Sequence, residues 1–131
     1  MSLLELNLSD AQEPKVVDAN EEYNLRIIDC TKDKNKKGND YLLPRFEVVD
    51  EPLAKDFTKY IGLPHDEETE KQQNRTKWNL RTFFECFGVD HSRPVDPEDD
   101  LVGQTGWAIL GVEDNEAFGE QNYVKRFIAP K

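Results

Sequence analysis

Most of the residues that carry recognisable chemistry are scarce in this chain. Its 131 residues include two cysteines, two histidines and one methionine. Cys30 and Cys86 fall outside any CxxC spacing, so two buried reduced thiols are expected rather than a disulfide. No Walker loop, GxSxG elbow, Cys–His pairing with a third orienting residue, or pair of carboxylates in an apolar setting is present. Catalysis and a cofactor are therefore not expected. His65 and His91 stand singly in acidic loops. A metal would need one of them to meet several carboxylates such as Asp66, Glu67 or Asp96, and no ligand spacing connects them. No stretch approaches the roughly 18 apolar residues of a membrane span. Met1–Leu8 is apolar only at alternate positions and has no basic flank, so no signal peptide is expected and the compartment expected is the cytoplasm.

Positive charge is short as well, with a formal net charge of −10. Its distribution is uneven. Residues 1–24 carry six acids against Lys15, Asp66–Glu70 adds four, and Gly88–Asp100 adds five against Arg93. The bases gather in two places. Lys32, Lys34, Lys36 and Lys37 fall within TKDKNKKGND (31–40), and Lys71, Arg75, Lys77 and Arg81 fall within one helical segment. A bound polyanion feels such local fields, because screening removes interactions beyond roughly 8 Å at physiological salt.

Hydrophobic content of 37% with thirteen aromatics is enough for one folded domain. Residues 1–20 read as an acidic leader, in which LLELNL alternates like a short strand that adds an edge or crosses the body. Residues 21–131 read as the domain. YNLRIIDC (23–30), YLLPRFEVV (41–49) and residues 57–63 alternate as strands. Leu42, Phe46 and Val48 face inward on the second, with Tyr41, Leu43, Arg45 and Glu47 opposite. Pro44 lacks an N–H and predicts an edge or bulge there. Leu80, Phe83, Phe84 and Phe87 form the apolar stripe of a helix over 70–87, which Gly88 stops. Residues 103–112 and 122–128 predict a strand pair, with Trp107 in the core. Trp78 falls nearly opposite the helix stripe and is expected to be at least half covered by the leader, the 89–100 loop or a second subunit.

The order β-β-β-α-β-β, with mainly β content and one helix, predicts an OB-fold-like five-stranded barrel; an open antiparallel sheet on one helix is the alternative. The strings K-x-x-K-K-G-N-D-Y-L-L-x-R-F-E-V-V-D, F-F-E-C-F-G and D-L-V-G-Q-T-G-W-A-I-L-G-V together resemble small phage proteins. Their family, long catalogued as of unknown function, is regarded as OB-fold single-stranded-DNA-binding proteins of phage replication or recombination. The resemblance spans roughly residues 20–128. It implies a non-enzymatic role on single-stranded DNA in the host cytoplasm, alongside replication or recombination proteins. Several such phage proteins have an acidic C-terminal tail that recruits partners, whereas the last residues here are FIAPK.

Lysines in a turn supply cations for phosphate, and a tyrosine supplies a face for a base. The candidate nucleic-acid-binding residues are accordingly Lys32, Lys34, Lys36, Lys37, Tyr41, Arg45, Lys59 and Tyr60, with Lys55 beside them. The bland alternatives are a solubilising turn and ordinary cross-strand tyrosine pairs. The competing function is an acidic protein-interaction module or nucleic-acid mimic that blocks a DNA-binding protein. Oligomeric state is left open by the sequence, a homo-oligomer included.

Overall fold

A computed structural model describes residues 3–130. The first hairpin joins β1 (Glu22–Lys34) to β2 (Asp40–Val48). Leu25, Ile27 and Cys30 are buried on β1 although strict alternation would turn Cys30 outward. The register explains this. Ile27 pairs with Phe46 and Asp29 with Arg45, so Ile28 is an extra residue. That bulge switches the buried positions from odd to even and bends the strand.

The third strand differs from expectation. It is split into β3 (Phe57–Thr58) and β4 (Ile61–Gly62), both paired with β2 in one continuous register. The break lies across from Leu43 and Pro44. The Lys59 N–H donates to the Pro44 carbonyl at 3.2 Å, and Pro44 has no N–H to return the bond. The irregularity expected at Pro44 thus falls in its neighbour.

α1 (Glu70–Cys86) begins at a capping box in which Thr69 and Gln72 satisfy each other's backbone N–H groups. It ends where Gly88 takes φ +69°. β5 (Thr105–Asn115) and β6 (Gly119–Phe127) make a long hairpin. One antiparallel sheet results, ordered β3-β2-β1-β5-β6 with β4 on β2. It is open: among the described residues no ladder joins β3 or β4 to β6, so the closed barrel is replaced by a curved sheet with two free ends.

Two devices span the gap. At one end the α1 stripe drives phenylalanines between the sheet's edges. The Phe46 ring lies 5.6 Å from Phe57, 5.6 Å from Phe87 and 6.3 Å from both Phe83 and Phe127, centroid to centroid. At the other end residues 15–21 form a strap. Lys15 exchanges backbone bonds with Leu53 and Lys55 beside β3. Val17 donates to and accepts from the Asn122 side chain on β6. Asn122 is the buried polar residue of the core, and its amide also donates to Gly111, which offsets its desolvation.

Three further expectations are corrected. LLELNL forms no strand over the described residues 3–8, and its leucines are exposed. Trp107 is 52% exposed. The face of β5 that turns inward carries Gly106, Ala108 and Leu110, with the Cys86 thiol donating to the Trp107 carbonyl at 3.2 Å. Phenylalanines already fill the core, and an indole at position 106 would strike the helix. Trp78 is 62% exposed within the single chain, so neither the leader nor the 89–100 loop covers half of it, and the Arg81 guanidinium sits over the ring, 5.8 Å from its centroid. Cys30 and Cys86 are buried free thiols, each pushed up to about 11 chiefly by burial.

Because Phe46 touches both ends of the sheet and the helix, Phe46→Ala is expected to cost about 3–5 kcal/mol in unfolding free energy. Trp78→Ala should change it by less than about 0.5 kcal/mol. Urea denaturation of the two variants measures both.

Candidate nucleic-acid interface

β1 runs on to Lys34, so part of the lysine-rich segment is strand rather than loop. This divides the lysines. Lys32 stands across from Leu42 and Lys34 across from Asp40, and residues directly opposite share a face. Leu42 is core, so Lys32 and Lys34 extend the core face beyond its apolar part. There Asp40 holds both, at 2.9 Å from Lys34 and 3.9 Å from Lys32. The Lys34 hydrogen bond keeps the Asp40 carboxyl below its ordinary value. Lys36 and Lys37 occupy the tip, with no carboxylate within ion-pairing distance among the described residues.

Asn35 builds that tip. Its side-chain oxygen accepts from the N–H groups of Lys37 and Asn39, at 2.9 and 3.0 Å, while its carbonyl accepts from Gly38. Gly38 has φ +82°, the left-handed conformation a tight reversal requires. The Asn35 amide then donates to the Tyr60 hydroxyl at 3.1 Å. Tyr60 stacks on Tyr41 with centroids 4.6 Å apart and planes at 26°. Tyr41 is half-buried beneath it, and Tyr60 is 52% exposed. One hydrogen-bonded hairpin therefore fixes both the two free cations and an aromatic pair with one open ring face.

Arg45 lies on the same outward face as the tyrosines. Its guanidinium is 3.9 Å from Asp56, and Asp29 stands opposite it in the register, as Asp33 does opposite Tyr41. The face is mixed in charge rather than basic throughout. At its far end Arg45, Lys55 and Thr58 share a depression with Phe118, which is 71% exposed. The Lys55 ammonium donates to the Phe118 and Glu120 carbonyls, pinning the β5–β6 tip. Phe118 was missed in the sequence; an apolar side chain inside the turn NEAFG was the available signal. Lys59 is separate again. It has the parity of Phe57 and Ile61 and lines a cleft on the helix side of the sheet edge.

His65 lies 4.0 Å from Glu68, and His91 lies 3.4 Å from Glu85. Among the described residues no three His, Cys, Asp or Glu side chains converge on a common point. No α-helix in the described chain is long and apolar enough to cross a membrane. Comparison with known proteins finds no family model and no curated protein that matches this chain.

The division of the lysines has a measurable consequence for any single strand that crosses the tyrosine face. Lys36→Ala with Lys37→Ala should flatten the plot of log affinity against log salt by about 1.4, from about 0.7 per lost phosphate contact. Lys32→Ala with Lys34→Ala should flatten it by less than half as much. Oligo(dT) titrations at a series of salt concentrations check both.

Proposed function

We propose that this protein binds single-stranded DNA without catalysing a reaction on it, through the outward face of β2, β3 and β4. The observation that carries the reading is the Tyr41–Tyr60 stack, tied by Asn35 to the hairpin that bears Lys36 and Lys37. A base extends the stack from the open face of Tyr60, and the phosphates on either side meet the hairpin tip and Arg45. Aromatic stacking tolerates any base and is worth about 1–3 kcal/mol per base, so little sequence preference follows. Because the rings are already held in place, little side-chain entropy is lost on binding.

The strand order supports an OB-like reading of the fold. An OB fold is a partly open Greek-key barrel whose second and third strands, flanked by its first and last hairpin loops, bind oligonucleotides. With β3 and β4 taken as one interrupted strand, the face described above is that face, flanked by residues 35–39 and by the tip carrying Phe118. A place in phage replication or recombination is the setting that the family resemblance implies. The acids do not oppose the reading. Asp33 beside Tyr41, and Asp29 and Asp56 beside Arg45, weaken attraction for the denser charge of duplex DNA and leave stacking, available only to an unpaired base, to select the substrate.

Fluorescent oligo(dT) should bind with a log–log salt slope of roughly −3 to −4, for about four to six phosphate contacts. Tyr60→Ala and Tyr41→Ala should each lose about 1–3 kcal/mol of affinity and leave the melting temperature nearly unchanged for Tyr60. Absence of oligonucleotide binding at low salt would remove the proposal and favour an acidic protein-interaction module.

A further inference from the structure

The open sheet leaves a cleft of about 350 Å³ between the edge formed by Lys59–Gly62 and the edge formed by Val124–Phe127, with α1 as its third wall. Ile61, Val124 and Phe127 supply its apolar part. Its rim carries Lys59, Lys125 and Arg126, and the helix adds the polar side chains of Thr76, Asn79 and Thr82. No aspartate or glutamate lines it, in a chain with 27 acidic residues. None of the three cations has a carboxylate within 4.0 Å among the described residues, whereas Arg26, Lys32, Lys34, Arg45, Arg81 and Arg93 all do. The Lys125 ammonium donates to the Asn20 side-chain oxygen on the strap, which holds its charge away from the cleft, so Lys59 and Arg126 are the cations left to face it.

The backbone sets this arrangement. On β6, Val124 pairs with Leu110 and Arg126 with Ile109, so Lys125 is an extra residue without a partner. A bulge re-aims side chains at a sheet edge, and here it sends Lys125 to Asn20 and leaves Arg126 beside the gap. A neighbouring depression holds Lys37 and Arg75 but also Glu67 and Glu68, so the acid-free cleft is the better seat for an anion. Tyr60 belongs to both surfaces: its ring carries the outward stack, and the residue lines the cleft.

We infer that the cleft is a second nucleic-acid site, in which Lys59 and Arg126 hold the phosphodiester backbone of the single strand as it leaves the Tyr41–Tyr60 stack and turns around the sheet edge toward the helix. This rests on the single-strand reading of the tyrosine face. The strand therefore makes two kinds of contact: bases on the face, phosphates in the cleft. Its length decides whether both are used. A short oligomer is satisfied on the face alone, and a longer one reaches the cleft.

Two oligo(dT) lengths, near the lower and upper ends of the roughly 4–16 nucleotides one OB fold occupies, separate these contacts. The variant Arg126→Gln changes one exposed side chain, and its melting curve reports whether the fold is kept; Lys59→Gln provides a second route to the same cleft. The Arg126 variant should bind the short oligomer as the wild type does. For the long oligomer it should bind more weakly, with a salt slope shallower by about 0.7. An unchanged slope and affinity for the long oligomer in both variants would overturn the cleft assignment, while a loss at both lengths in Tyr60→Ala would leave the tyrosine face standing. If the wild type binds neither length, the reading of the face fails and the cleft assignment fails with it.

Discussion

The Phe46 ring is the contact on which the rest of the structure depends. An antiparallel sheet of this order can hold its curvature by closing a ladder between its two ends, and among the described residues this one does not. The curvature is held by apolar contact instead. Phe46 reaches Phe57 on one end of the sheet, Phe127 on the other, and Phe83 and Phe87 of the helix. Side-chain packing fixes the distance between the edges without consuming their backbone groups. The sheet can then stay open while the core beneath it is dry. On the opposite side Asn122 and the 15–21 strap do the same work with hydrogen bonds.

Openness has a functional price and a functional use. Free edges invite unwanted strand pairing. Here one edge is broken by Pro44 opposite Lys59, and the other is bent by the Lys125 bulge. The two irregularities that blunt the edges also place Lys59 and Arg126 at the gap. On the outward face the same strand alternation sends Lys32 and Lys34 away from the tyrosines and brings Asp29 and Asp33 toward them. Net charge therefore says little about this surface. The arrangement of a few cations around an exposed aromatic pair says more.

Much of this was legible in the sequence, for identifiable reasons. Leu42, Phe46 and Val48 alternate, and Leu80, Phe83, Phe84 and Phe87 recur at helical spacing, so their buried faces follow from period alone. Tyr41 and Tyr60 were assigned outward by the same rule, and their rings do lie outside the core. What escaped were features set by register and closure. The bulge at Ile28 flips parity, and nothing in RIIDC announces it. The split of the third strand required knowing which residues face Pro44. Trp107 was misjudged because alternation in WAILGV leaves two choices of inward face, and the closeness of the helix to Gly106 selects the one without the indole. The placement of Arg126 across the gap from Lys59 gave no signal, since it depends on the bulge at Lys125 and on the sheet staying open.

The account turns on whether a nucleic-acid base stacks on Tyr60. Proton NMR of the Tyr41 and Tyr60 ring resonances during an oligo(dT) titration tests this most directly, because a base lying over a ring shifts its protons through the base's ring current. The account predicts upfield shifts of the Tyr60 ring protons that saturate with binding, with smaller shifts at Tyr41 beneath it. Saturable binding that leaves both rings unshifted would contradict it.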